Sequence, residues 1–202
     1  NDIAVYRIDR ASGKLTAAGA PIALGSYPIS IAIDPAGRHA YVAHAGSNSI
    51  AIYLIDPATG MLSETGTPVA AGAFPIFVTL DPAGRHVYVV NYGSDSVSVY
   101  RVDGPSGALT PTGSTAATGA YPFSISFDPA GRFAYVANSG SSSVASYRID
   151  EATGALSAVG KPVRAGSDPQ FVAVDPAGRH AYVTNYSSNN ISVYRIDPAT
   201  GA

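Results

Sequence analysis

Histidine changes charge near neutral pH, so His39, His86 and His180 are the first residues in this chain that could carry acid–base or metal chemistry. All three stand at one repeat position, which Phe133 fills in the remaining copy. A position that phenylalanine can share is expected to serve packing. His44 differs, because it ends a predicted strand where the other copies carry Asn91, Asn138 and Asn185. These four polar side chains share one face, where they suit either a ligand or local hydrogen bonding of the adjacent turn. Asp34, Asp81, Asp128 and Asp175 could suggest a calcium array, but each opens a tight turn and no Asp-x-Asp-x-Asp loop occurs. No metal and no cofactor is therefore expected. Arg38, Arg85, Arg132 and Arg179 are expected to cover those turns and solubilise the opposite face. The chain contains no G-x-S-x-G, H-E-x-x-H or phosphate-cradling glycine motif.

The candidates recur because the sequence does. DPAGRHAYV at 34–42 returns as DPAGRHVYV, DPAGRFAYV and DPAGRHAYV, each 47 residues after the last. Tyr41, Tyr88, Tyr135 and Tyr182 keep the same spacing, as do Pro28, Pro75, Pro122 and Pro169. So regular a period predicts one structural unit per repeat. Each unit reads as four strands. A short apolar strand follows the proline, and DPAG then supplies a type I turn, with Pro setting φ and Gly free to take positive φ. A second strand ends at His44 or its Asn counterparts, a polar loop leads to a third, alternating strand, and an Asp-and-Gly turn introduces a less apolar outer strand.

Four antiparallel strands per unit, repeated in register, predict an all-β fold, a β-propeller with four-stranded blades. Small residues at the middle of the first strand (Ala32, Thr79, Ser126, Ala173) suit the taper towards an axis. A β-solenoid and a sandwich are the competing folds. The period is long for one solenoid coil, and a sandwich would not need identical spacing. Residues 1–27 read as the third and fourth strands of a first blade; blades follow at 28–74, 75–121 and 122–168, and three strands of another at 169–202. Residues 1–9 match residues 189–197, so both ends fall at one phase inside a blade. That is expected of a segment of a longer propeller, or of a chain that completes its ring by self-association.

Composition supports the fold: among 202 residues there are 21 Gly, 15 Pro and 13 Tyr, and neither Trp nor Cys. A net charge of −2 with no basic run argues against nucleic acid as a partner. No apolar stretch is long enough for a membrane-spanning helix. Low charge, many polar uncharged residues and absent Cys point to a secreted or cell-surface protein, with cytoplasmic and periplasmic locations left open. The chain opens on Asn1 without Met, which is compatible with a removed leader.

YVTNYSSNNISVYRID at 182–197 and YVVNYGSDSVSVYRVD at 88–103 resemble the repeat of the YVTN β-propellers, literal here at Tyr182, Val183, Thr184 and Asn185. They also resemble the seven-bladed lactonase propellers, which include 6-phosphogluconolactonase-like and muconate-cycloisomerase-like proteins. The resemblance implies a ring of seven blades, of which this chain would be somewhat more than half. It also implies a channel-mouth His directly after the first-strand proline, with Arg and Glu on neighbouring blades. Here Ile29, Ile76, Phe123 and Gln170 follow that proline, and none of them takes a proton or binds a phosphate.

The first functional expectation is thus a non-catalytic propeller that binds a protein, glycan or small ligand on one rim. Its candidate residues are His44, Asn91, Tyr92, Asn138, Asp168, Gln170, Asn185 and Tyr186, with Asp168 and Gln170 marking the repeat that departs most from the others. The second is a lactonase-like hydrolase or isomerase whose catalytic groups sit largely on blades outside this segment. A third is an engineered or fragmentary propeller without activity of its own.

Overall fold

The computed structural model describes residues 1–202. The chain forms a β-propeller of antiparallel blades. Innermost strands Pro28–Ile33, Pro75–Leu80, Pro122–Phe127 and Pro169–Val174 pack against one another around the axis. Second strands His39–His44, His86–Asn91, Phe133–Asn138 and His180–Asn185 follow, then third strands Ser49–Ile55, Ser96–Val102, Ser143–Ile149 and Asn190–Arg195. Strand order within each sheet follows chain order. The expected single outer strand is continuous only at Leu109–Ala117; elsewhere it is two pieces, Leu62–Glu64 with Val69–Ala70 and Leu156–Ala158 with Val163–Arg164. The breaks hold Gly66 and Gly160 at positive φ, each followed by a proline that cannot donate to the ladder.

Strand alternation decides which neighbour a side chain meets. Tyr41 and Ala43 join Val78, Val87 and Val89 of the next blade in one core cluster. Ala40 and Val42 face the other way, towards Ile3 and Leu24. The cores therefore lie between blades, and the blades inside the series are buried on both faces by their neighbours.

The DPAG reversal forms as its residues dictate. Gly37, at φ 68°, donates its N–H to the Asp34 carbonyl at 2.9 Å, and Arg38 N–H donates to Asp34 Oδ1 at 2.7 Å. The other carboxylate oxygen, Oδ2, lies 3.0 Å from His39 Nδ1, and the pairs Asp81–His86 and Asp175–His180 repeat that distance. His39 and His86 pack, as expected, while the His180 side chain is 40% exposed, and each of the three closes its turn through a hydrogen bond. Phe133 cannot, and there Arg132 Nε takes the place beside Asp128 Oδ2 at 3.6 Å.

The arginines do more than cover the turns. Arg38 Nη2 donates to the Gly104 carbonyl at 2.9 Å, Arg132 Nη2 to that of Pro198 at 3.2 Å, and Arg85 Nη1 meets Glu151 Oε1 at 3.2 Å. All three partners lie on the turn between third and outer strands of the next blade. Tyr41 and Tyr88 hydroxyls reach the same turns, donating to the carbonyls of Gly107 at 3.1 Å and Gly154 at 2.9 Å. Burial, then the nearby Asp34 charge, pushes the Tyr41 phenol up to about 12. Gly107 is indispensable here: at φ 70° it sits so close to His39 that an added Cβ would lie 2.4 Å from the ring.

Gly107→Ala should therefore cost about 2 kcal/mol or more, from backbone strain plus overlap with a buried ring. Gly104→Ala on the same turn, where a Cβ meets nothing within 4 Å, should stay near neutral in urea melts. Burial raises the Asp34 pKa, but hydrogen bonds from the Arg38 N–H and from His39 outweigh it and hold the carboxyl below its ordinary value. A lowered native pKa adds stability that is present above about pH 4, the unfolded value, and is lost as pH falls through the native value. Stability should thus decline in acid, and Asp34→Asn should flatten that decline.

Candidate functional site

The loops that enter the innermost strands and those that join second to third strands share the rim opposite the DPAG turns. Tyr27, Phe74, Tyr121 and Asp168, each directly before the proline, have φ of 58°, 50°, 51° and 56°. For bulky aromatic residues this left-handed backbone is costly, on the order of 1–3 kcal/mol. Two side chains hold it in place: Asn48 Oδ1 accepts the Phe74 N–H and Asp95 Oδ1 accepts the Tyr121 N–H, both at 2.8 Å.

Directly after the proline, register shifts between Pro28 and Ser30, Pro75 and Phe77, Pro122 and Ser124, and Pro169 and Phe171. Ile29, Ile76, Phe123 and Gln170 are thus bulge residues freed from the ladder, and the first three are re-aimed into one cavity. Below them, Ser30 Oγ accepts the Val78 N–H at 3.1 Å, and Ser124 Oγ accepts that of Val172 at 3.1 Å while donating to the Gln170 carbonyl at 2.7 Å. These bonds lock the first innermost strand to the second and the third to the fourth.

Together the rim and bulges enclose a cavity of about 610 Å³. Tyr27, Phe74 and Tyr92 form its upper wall, Ile29, Ile76 and Phe123 its flank, and Phe77 and Phe171 its floor, with Ser30 as the lone non-hydrophobic residue. Rings contact in series across all four blades: Tyr27–Phe74 at 6.4 Å, Phe74–Tyr92 at 6.2 Å, Tyr92–Phe123 at 6.5 Å and Phe123–Phe171 at 5.4 Å between centroids. Tyr121 stacks on Tyr92 at 4.9 Å from outside. No lining residue is a carboxylate, histidine, lysine or arginine, and the wall suits an apolar or ring-shaped ligand.

The sequence-derived candidates scatter. Tyr92 lines the cavity. Gln170, Asn185 and Tyr186 come together in a separate shallow hollow of about 340 Å³. Asp168 sits half-buried on the rim, where its Oδ2 accepts the Ser187 hydroxyl at 3.3 Å. Asn91 and Asn138 are fully buried, and their Oδ1 atoms accept the N–H groups of Gly72 and Gly119, both at 3.1 Å. The Asn185 amide is likewise buried, and its Nδ2 donates to Asn190 Oδ1 and Ser192 Oγ at 2.9 Å. Asn91 and Asn138 thus tie rim loops to the blade, whereas Asn185 lines the hollow and its Oδ1 has no partner. His44 is 4% exposed with Nε2 lacking a partner, and burial lowers its pKa against an opposing pull from Glu64. No three His, Cys, Asp or Glu side chains cluster as metal ligands would, and no helix is long and apolar enough to cross a membrane. Sequence reasoning favoured polar residues and missed the apolar pairs that flank Pro28, Pro75 and Pro122. The available signal was an aromatic residue before each of those three prolines.

The family described as Lactonase, 7-bladed beta-propeller matches residues 1–80, 76–172 and 124–202. Among solved structures, a candidate 6-phosphogluconolactonase from Bacteroides uniformis superposes with a TM-score of 0.90 at 20% identity, covering 100% of this chain and 62% of its own. A second such protein, from Bacteroides fragilis, gives 0.85 at 23% identity, with coverage of 100% and 62%. A periplasmic gluconolactonase from Pseudomonas aeruginosa gives 0.85 at 22% identity, with coverage of 100% and 61%. The chain thus spans less than two thirds of the length of these relatives, and at such identities the likeness establishes the fold alone. A search of the curated proteins found no match.

Asn91→Ala should lower stability by about 1–3 kcal/mol, because it strips the Gly72 N–H and two serine hydroxyls of a buried partner. Faster amide exchange at Gly72, with the DPAG turns unaffected, would locate the damage at the rim.

Proposed function

The chain belongs to the Lactonase, 7-bladed beta-propeller family, and from that premise we propose that it forms the ligand-binding wall of a lactone-hydrolysing ring. The family match supports this lactonase alternative more than the non-catalytic scaffold that stood first in the sequence reading. The carrying observation is the cavity built on the bulges after Pro28, Pro75 and Pro122, three of the four positions at which the resemblance places channel-mouth chemistry. Here those side chains are Ile29, Ile76, Phe123 and Gln170, so this stretch binds and orients while acid, base and anion-binding groups come from blades outside it. Gln170, the one polar bulge side chain, lies in the separate hollow with Asn185 and Tyr186.

In the reaction proposed, water adds to the lactone carbonyl, the ring C–O bond breaks, and the departing oxygen takes a proton to give a hydroxy acid. At neutral pH the acid ionises, so each turnover releases one proton. An apolar wall contributes by excluding water from all but the attacking position and by holding the ring in place.

Proton release by the full-length chain should accelerate with glucono-δ-lactone or dihydrocoumarin, and Phe123→Ala should lower kcat/KM by about tenfold through lost binding of the ring. An intact ring that accelerates neither lactone would return the scaffold reading to first place.

A further inference from the structure

The mouth is unusual in what it presents and at what cost. Tyr27, Phe74 and Tyr121 are 57%, 42% and 51% exposed, yet each is held in a left-handed backbone that disfavours bulky side chains. Packing does not demand them, since Asp168 occupies the equivalent position at φ 56° in an intact rim. Strain kept at an exposed aromatic, without a structural need, points to a ligand. The cavity beside them falls in the usual size range for small-molecule sites, and its lining is hydrophobic apart from Ser30 and carries no charge. A phosphate or carboxylate set against this wall would gain no cation from it, whereas an apolar ring would bury its faces against the aromatic side chains.

We propose that this wall seats an uncharged, flat, largely apolar ring, of the class of aryl- or alkyl-substituted lactones. The assignment rests on the lactonase reading above and narrows its substrate. The ring would lie between the Phe74–Tyr92 side and the Phe123–Phe171 pair, whose edge-to-face geometry leaves ring faces and edges available for stacking. Tyr27 and Tyr92 hydroxyls supply the few polar contacts at the cavity edge.

Chroman, the cyclic ether that matches dihydrocoumarin but has no ester to cleave, separates ligand class from catalysis. Calorimetric titration of the full-length chain should show chroman binding, and proton release should show a higher kcat/KM for dihydrocoumarin than for glucono-δ-lactone or its 6-phosphate. Phe171→Ala should weaken chroman at least tenfold. Tyr27→Asn, a residue at ease in the left-handed region, should weaken it several-fold without lowering the melting temperature. Chroman binding with no lactone turned over would leave the ligand class standing and remove the hydrolase. Turnover of the sugar lactones with no affinity for chroman would overturn the ligand class and keep the hydrolase. Unchanged chroman affinity in a folded Tyr27→Asn protein would also overturn it.

Discussion

The glycine on the turn between third and outer strands approaches the histidine of the preceding blade so closely that one methyl group would overlap the ring. That seat recurs at Gly107 on His39 and at Gly154 on His86, and the blades are oriented by it. Around it converge a tyrosine hydroxyl, an arginine and a carboxylate that closes its own turn, so each contact is made by a residue the others already hold. No blade could bury its two faces alone. The apolar clusters lie between sheets, and the seat decides the angle at which they close. Phe133 makes the same seat with Gly201 by shape alone, with Arg148 over its ring at 4.9 Å in place of a buried hydrogen bond.

Stability at that base permits strain at the opposite rim. There the backbone carries left-handed aromatic residues and a bulge per blade, features that cost free energy and that only a rigid surround sustains. Asn91, Asn138 and Asn48 provide that surround by accepting backbone N–H groups of the rim loops. The two rims thus divide the labour: hydrogen-bonded charge at the base and exposed apolar rings at the mouth.

Much of this was legible in the order of residues. A fixed period, a Pro-Gly turn and alternating Val, Ile and Tyr predict antiparallel blades, because turn chemistry and side-chain period are local properties of the chain. Replacement of one histidine by Phe133 correctly placed that position in packing. Its hydrogen bond to aspartate was not foreseen, since the carboxylate meets the ring only once the hairpin has closed. The arginines were read as solubilising for the same kind of reason: their partners lie 66 residues further on, across a blade boundary.

The functional face shows the limit most clearly. Sequence alone determined the repeat, the turns, the strand faces and the absence of proton-carrying side chains after the four prolines. Tertiary structure alone decided that the register shifts there, that Asn91 and Asn138 turn inward, and that rings from four blades meet around one cavity. Bulges and left-handed residues depend on what the neighbouring strand and loop can hold, and convergence at an axis depends on the angle between blades; neither is written in any single repeat.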